Sequence, residues 1–162
     1  MKRRSLKEPL DKYVVDTSVL AEYIVKNSSY RGAVEKLLND TLKQSLELYI
    51  TPITVSELIY VVSRLYEIAA VEKPNEEALN FIEWLSTRVK PIEVTQDIAF
   101  EAGELRKKLK IALTDCYVIA TAKRLQMKAL FLKPEKEMLE KIEEVKVLPI
   151  TFLAELTKKG VN

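Results

Sequence analysis

Short apolar runs alternate with longer segments of helical periodicity along most of this chain. Five runs lack the polar–apolar alternation of half-exposed strands, and they cover residues 13–15, 48–51, 91–94, 129–132 and 145–148. Strands that are apolar throughout are typical of a parallel sheet buried between two layers of helices. Because crossovers between parallel strands are right-handed, the pattern predicts an α/β fold, a three-layer α/β/α sandwich with a parallel central sheet of about five strands.

The segments between these runs carry apolar residues at helical spacing. We expect a short helix after Asp16, helices over about 30–45, 54–69, 78–85, 98–109, 114–126 and 134–143, and a terminal helix from Thr151. Thr54 and Glu57 match a capping box, which predicts a helix start at Thr54. Pro134 suits the first position of a helix.

The length of 162 residues fits one domain. We expect residues 1–11 to form a flexible basic tail and residues 12–162 to form a single domain. No apolar run approaches the roughly 18 residues of a membrane span, and the basic start lacks the apolar stretch of a secretory signal. A single cysteine allows no internal disulfide, so we expect a cytoplasmic protein without membrane contact.

The chain contains no histidine and one cysteine, Cys116. These counts exclude serine–histidine and cysteine–histidine catalysis and a zinc site of the ordinary kind. Carboxylates are the obvious remaining groups for an enzyme, and clustered carboxylates favour hard cations such as Mg²⁺ or Mn²⁺. The net charge of +2 neither demands nor excludes nucleic-acid binding, which would require a local basic patch.

Four acidic residues lie near the starts of predicted helices. Asp16, Glu57 and Glu135 follow predicted strands, and Asp115 opens a helix. Each one alone is explained as a helix cap or a first-turn acid. Together they are better explained as a site, because residues that follow parallel strands share the carboxyl edge of the sheet, where ligands bind. Repulsion among carboxylates at that edge predicts a divalent-cation site.

Four segments resemble, in order, the motifs of PIN-domain ribonucleases of the VapC toxin type. They are residues 14–20 (VVDTSVL), 54–58 (TVSEL), 113–122 (LTDCYVIATA) and 130–135 (LFLKPE), and the resemblance spans about 12–155. The fourth segment departs from the family pattern, since Lys133 and Glu135 stand where Thr and Asp are frequent. Glu137 is therefore an alternative to Glu135 as the fourth acid.

This resemblance implies a metal-dependent endoribonuclease that holds Mg²⁺ or Mn²⁺ through Asp16, Glu57, Asp115 and Glu135. It further implies a type II toxin that forms a homodimer and is silenced by a cognate antitoxin. The alternative is a catalytically silent PIN-like module for RNA binding or assembly. A phosphatase of the haloacid-dehalogenase type fits less well, because Ser18 stands where that class needs a second Asp.

Several further residues have both a functional and a structural interpretation. Three hydroxyls either orient the acidic side chains or cap helices, namely those of Thr17, Ser18 and Thr114. Four basic residues either contact RNA phosphates or form a solvated helix face, namely Arg106, Lys107, Lys108 and Lys110. Trp84 and Tyr66 are interpreted as packing residues rather than base-stacking platforms, and Cys116 as buried packing.

Overall fold

A single parallel sheet of five strands forms the centre of the computed structural model, which describes residues 9–160. The strands are β1 (Asp11–Val15), β2 (Leu46–Ile50), β3 (Val89–Pro91), β4 (Lys128–Phe131) and β5 (Ile150–Phe152). Their order across the sheet is β3-β2-β1-β4-β5, and every neighbouring pair is parallel. The predicted five-stranded parallel sheet is therefore confirmed, with β1 at its middle.

Helices connect the strands and cover the sheet. Within the same residues they are α1 (Thr17–Ala21), α2 (Arg31–Leu42), α3 (Pro52–Ile68), α4 (Pro74–Ser86), α5 (Gln96–Leu109), α6 (Leu113–Arg124), α7 (Lys136–Glu140), α8 (Ile142–Val145) and α9 (Leu153–Lys159). No helix among residues 9–160 is long and apolar enough to cross a membrane.

Two hydrophobic cores lie on opposite faces of the sheet. Successive residues of a strand point to opposite faces, so Val15 packs in one core and Val14 in the other. The first core contains Leu38, Leu58 and Leu85 from α2, α3 and α4. The second contains Ala102, Leu105 and Ile119 from α5 and α6. The strands are therefore buried on both sides, which confirms the three-layer sandwich.

The two edge strands differ from their predicted positions. β3 covers Val89–Pro91 rather than 91–94, because Val89 is the residue that pairs with Leu48, while Ile92 and Val94 pack against the second core after the strand. The prediction of a strand at 145–148 is wrong. Val145 is buried as the last residue of α8, and the fifth strand begins at Ile150, which pairs with Ala129.

Three helix starts also differ. The capping box at Thr54 is wrong, since Thr51 is the N-cap of α3 and its hydroxyl accepts a hydrogen bond from the Thr54 amide at 3.2 Å. Pro52 takes the first helical position, where its missing N–H costs nothing. Pro134 does not, because α7 begins two residues later with Glu135 as its N-cap. The terminal helix begins at Leu153, since Thr151 belongs to β5.

The expected tail of residues 1–11 lies almost wholly outside the described residues. Only its last three residues are described, and Asp11 already belongs to β1. The tail and the single-domain boundary at residue 12 stay predictions.

Candidate acidic site at the carboxyl edge of the sheet

The carboxyl ends of β1, β2 and β4 lie at one edge of the sheet because these strands are neighbours and parallel. Asp16 follows β1 directly, and Glu57 lies within α3, the helix that follows β2. Glu135 follows β4 by four residues. The fourth acid, Asp115, comes from the first turn of α6, which contacts both β1 and α3. The segments that follow β1, β2 and β4 therefore carry three of the predicted acids to this edge, and the start of α6 carries the fourth.

Asp16 is buried, and its two carboxylate oxygens have different surroundings. Oδ2 accepts a hydrogen bond of 2.9 Å from the amide of Ser18, which makes Asp16 the N-cap of α1. Oδ1 is buried and has no hydrogen-bond partner among residues 9–160. Burial, together with the charge of Glu57, raises the pKa of Asp16 to about 6 against the lowering effect of hydrogen bonds from Ser18 and Thr17. Asp16 is therefore a cap with one oxygen left over for a ligand.

Glu57 is held by hydroxyl groups from two other elements. Thr17 donates a hydrogen bond of 2.7 Å to Oε2, and Thr114 donates a longer one of 3.5 Å to Oε1. Thr17 is the first residue of α1 and Thr114 belongs to the first turn of α6, so Glu57 bridges the starts of both helices. Two of the three hydroxyls singled out in the sequence thus donate hydrogen bonds to Glu57. The third, on Ser18, accepts a hydrogen bond of 3.2 Å from the Leu132 amide.

Asp115 is the residue on which the acidic charges converge. Burial and, in decreasing order, the charges of Asp16, Glu135, Glu57 and Glu137 together raise its pKa to about 8. Both glutamates after β4 are exposed and both act on Asp115, with Glu135 the stronger. A carboxyl group protonated near neutral pH marks a site where negative charge is uncompensated.

The donor set fits a hard divalent cation, since it consists of carboxylate and hydroxyl oxygens and includes Oδ1 of Asp16, which has no hydrogen-bond partner within residues 9–160. As the side chains stand, however, no three acidic residues within 9–160 converge closely enough to hold an ion together. The contacts of Glu57 explain part of this separation, because both of its oxygens are bonded to threonine hydroxyls. Mutual repulsion of the carboxylates has the same effect.

The four basic residues before Asp115 have different surroundings. Arg106 donates a hydrogen bond to the carbonyl of Ile111 and so closes the turn between α5 and α6. Lys107 pairs with Glu104 at 3.0 Å. Lys108 and Lys110 are exposed, and neither has an ion-pair partner among the residues described; Lys110 is the left-handed C-cap of α5. Of the four, Lys108 and Lys110 are therefore the two whose ammonium groups have no partner within residues 9–160.

The residues interpreted as packing groups lie in or against the two cores. Trp84 stacks on Tyr23 with ring centroids 4.8 Å apart, and the guanidinium of Arg88 lies 4.0 Å from its ring centre. Tyr66 packs against the first core. Cys116 is fully buried, and burial raises the pKa of its thiol to about 11, so it is no nucleophile.

These features define a parallel α/β/α sandwich with an acidic carboxyl edge. The family model of the PIN domain matches residues 13–133, and this chain belongs to the PIN domain family. The matched range includes Asp16, Glu57 and Asp115 and ends two residues before Glu135. No curated protein sequence matches the chain.

Several solved structures share this fold, and some of them are described as toxins or as parts of toxin–antitoxin systems. VapBC-1 from nontypeable Haemophilus influenzae is 17% identical with a TM-score of 0.60, covering 88% of this chain and 98% of that one. DNA-bound VapBC from Salmonella typhimurium is 17% identical with a TM-score of 0.62, covering 90% and 99%. VapC20 from Mycobacterium tuberculosis, described as a Sarcin-Ricin loop cleaving toxin, is 16% identical with a TM-score of 0.57, covering 77% and 90%. At these identities the likeness establishes a shared fold.

Proposed function

We propose that this protein is a metal-dependent endoribonuclease that hydrolyses RNA phosphodiester bonds at the acidic edge of its sheet. The observation that carries the proposal is the convergence of charge on buried Asp115, whose pKa is raised to about 8 by burial and by the surrounding acids. Such a cluster is unfavourable by itself and becomes favourable when a cation is bound. Membership of the PIN domain family supports the same conclusion.

Asp16 and Asp115 would hold Mg²⁺ or Mn²⁺, with Glu57 and Glu135 completing the site. A divalent ion held there supplies an activated water and positive charge for the phosphate oxygens. Asp16 is preorganised for this role, since the Ser18 amide fixes Oδ2 while Oδ1 has no partner within residues 9–160. Thr17 and Thr114 keep Glu57 beside the site through hydrogen bonds to its two oxygens, and from there Glu57 would help to hold the ion.

RNA would reach this edge along the end of α5. Lys108 and Lys110 precede Asp115 by seven and five residues, are exposed, and have no ion-pair partner among the described residues. Their ammonium groups would contact the phosphates that flank the cleaved bond and give salt-dependent affinity. Arg106 is instead committed to the Ile111 carbonyl, and Lys107 to Glu104.

The cellular role we propose is that of the toxin in a type II toxin–antitoxin pair, acting in the cytoplasm as a homodimer. Solved structures with this fold support the role, because one is described as a toxin–antitoxin complex and another as a member of the VapBC family of toxin–antitoxin systems. Exposed apolar side chains support the dimer: Tyr60 and Ile68 on α3 and Leu79 on α4 are 65%, 78% and 56% exposed. Large apolar side chains gathered on adjoining helices are typical of protein interfaces.

The experiment that tests the nuclease is cleavage of a mixed RNA pool by the full chain. Activity is expected with Mn²⁺ or Mg²⁺, should stop with EDTA, and should be lost in Asp16→Asn. Asp97→Asn, which changes a surface acid in the first turn of α5, is the matched control and should cleave normally. If the metal-loaded protein leaves RNA intact and Asp16→Asn binds RNA as well as the wild type, the protein is a silent RNA-binding module.

A further inference from the structure

The backbone between β1 and α1 changes its hydrogen-bond partners within two residues. The β1–β4 ladder continues to Asp16, whose amide donates to the Leu130 carbonyl at 2.9 Å. The next bond of a parallel ladder would run from the Leu132 amide to the Asp16 carbonyl. That carbonyl is instead occupied by the amides of Val19 and Leu20, at 3.2 and 3.5 Å, because α1 begins there.

The Ser18 hydroxyl takes the place of that carbonyl. Its Oγ accepts the Leu132 amide at 3.2 Å, across 114 positions of the sequence. Leu132 is buried, and an amide left without a partner there would be costly. The carbonyl of Leu132 accepts the Ala154 amide at 2.9 Å, so this residue is bonded on both sides.

Ser18 also fixes Asp16, through its backbone amide and Oδ2 at 2.9 Å. One residue therefore contacts both the first acid of the site and the chain segment that leads from β4 to Glu135. The distance along the chain from Leu132 to Glu135 is only three residues, and Glu135 acts on Asp115 by its charge.

We propose that Ser18 is a positioning residue that couples Asp16 to the segment carrying Glu135, by standing in for a ladder carbonyl at the exit of β4. The expected consequence, which rests on the proposed function, is that Asp16 and Glu135 are held in a fixed position relative to each other and can bind the same cation. Ser18 touches neither the cation nor RNA in this role. Its removal would loosen the exit of β4 and weaken the ion site together.

The first test is amide hydrogen exchange of the metal-free full chain labelled with ¹⁵N. In Ser18→Ala the Leu132 amide should exchange about tenfold faster, whereas Ser18→Thr, which keeps a hydroxyl, should restore protection. The internal reference is the amide of Ala129, a residue of β4 whose amide donates to the Pro149 carbonyl, and its exchange should not change. Ser63→Ala is the matched control, because it removes a buried serine hydroxyl bonded to the Tyr60 carbonyl on α3. Unchanged exchange of Leu132 in Ser18→Ala overturns the proposal.

The second test is calorimetric Mn²⁺ binding to Ser18→Ala, Glu135→Gln and the double variant. Ser18→Ala should weaken binding about tenfold, and the double variant should be no weaker than the weaker single one, because both changes act on the same segment. Strictly additive losses overturn the coupling to Glu135. If the wild type binds no Mn²⁺, the metal site is overturned, and with it the role of Ser18 in that site. The exchange rate of the Leu132 amide is independent of this outcome, because it reports on the hydrogen bond to Ser18 in the metal-free protein.

Discussion

The hydroxyl of Thr17 donates a hydrogen bond of 2.7 Å to Oε2 of Glu57, joining two residues that lie 40 positions apart. Thr17 is buried at the start of α1, beside Asp16, and Glu57 is half-buried in α3. The bond therefore holds the second acid of the site beside the first.

Thr17→Val tests what this bond does. The variant keeps the shape of the side chain and removes the donor, so Glu57 loses its orientation, and we expect Mn²⁺ affinity to fall about tenfold. Thr17→Ser keeps the donor and should stay close to the wild type. Calorimetry measures both. Wild-type affinity in Thr17→Val would show that Glu57 needs no orientation by this hydroxyl.

Asp115 should make the stability of the metal-free protein depend on pH. Its pKa is about 8 in the folded chain against an ordinary value of 3.8, so between these values the folded state holds more protons than the unfolded state. The free energy of unfolding should then fall as pH rises from about 4 to about 8. Urea unfolding in EDTA at several pH values measures this slope.

Two comparisons isolate the contribution of Asp115. Asp115→Asn should remove much of the slope, because the amide does not titrate. Saturating Mn²⁺ should also flatten it, because an ion at the site stabilises the ionised carboxyl. A free energy of unfolding that rises with pH in the metal-free wild type would contradict a raised pKa.

The layers of the fold could be predicted from the sequence because they depend on the apolar pattern of short, continuous segments. Val14 and Val15 are adjacent apolar residues, and a strand with both faces buried requires helices on both sides. The fifth strand has no such signal, since polar Thr151 lies at its middle and it is three residues long. Val145 is apolar and buried, as expected of a strand residue, but it belongs to helix α8.

The candidate site also has a part that the sequence predicts and a part that it does not. Asp16 and Asp115 stand at helix starts that the sequence marks, and the structure places both at the predicted edge. The bond from Leu132 to Ser18 spans 114 positions and depends on how β1 ends, which no local pattern records. Arg106 looked equivalent to its lysine neighbours in the sequence, yet only the tertiary turn at Ile111 gives it a partner.

The fourth acid can be decided by single substitutions. Glu135 acts on Asp115 more strongly than Glu137 does, so Glu135→Gln should reduce Mg²⁺-dependent cleavage by about tenfold. Glu137→Gln should leave most of the activity. Initial rates at limiting Mg²⁺ compare the two. A larger loss of cleavage in Glu137→Gln than in Glu135→Gln would make Glu137 the fourth acid of the site.

Lys108 and Lys110 should determine how RNA affinity depends on salt. Each phosphate contact that is lost should lower the slope of log K against log salt by about 0.7 for single-stranded RNA. The double change to Ala should therefore weaken binding and flatten this slope. Fluorescence titrations at several salt concentrations, with Asp16→Asn in the background to prevent cleavage, measure the slope directly.

Lys107→Ala is the matched control, because that side chain is already paired with Glu104 at 3.0 Å. An equal effect of Lys107→Ala would mean that RNA affinity depends on the overall positive charge of α5 rather than on Lys108 and Lys110 in particular.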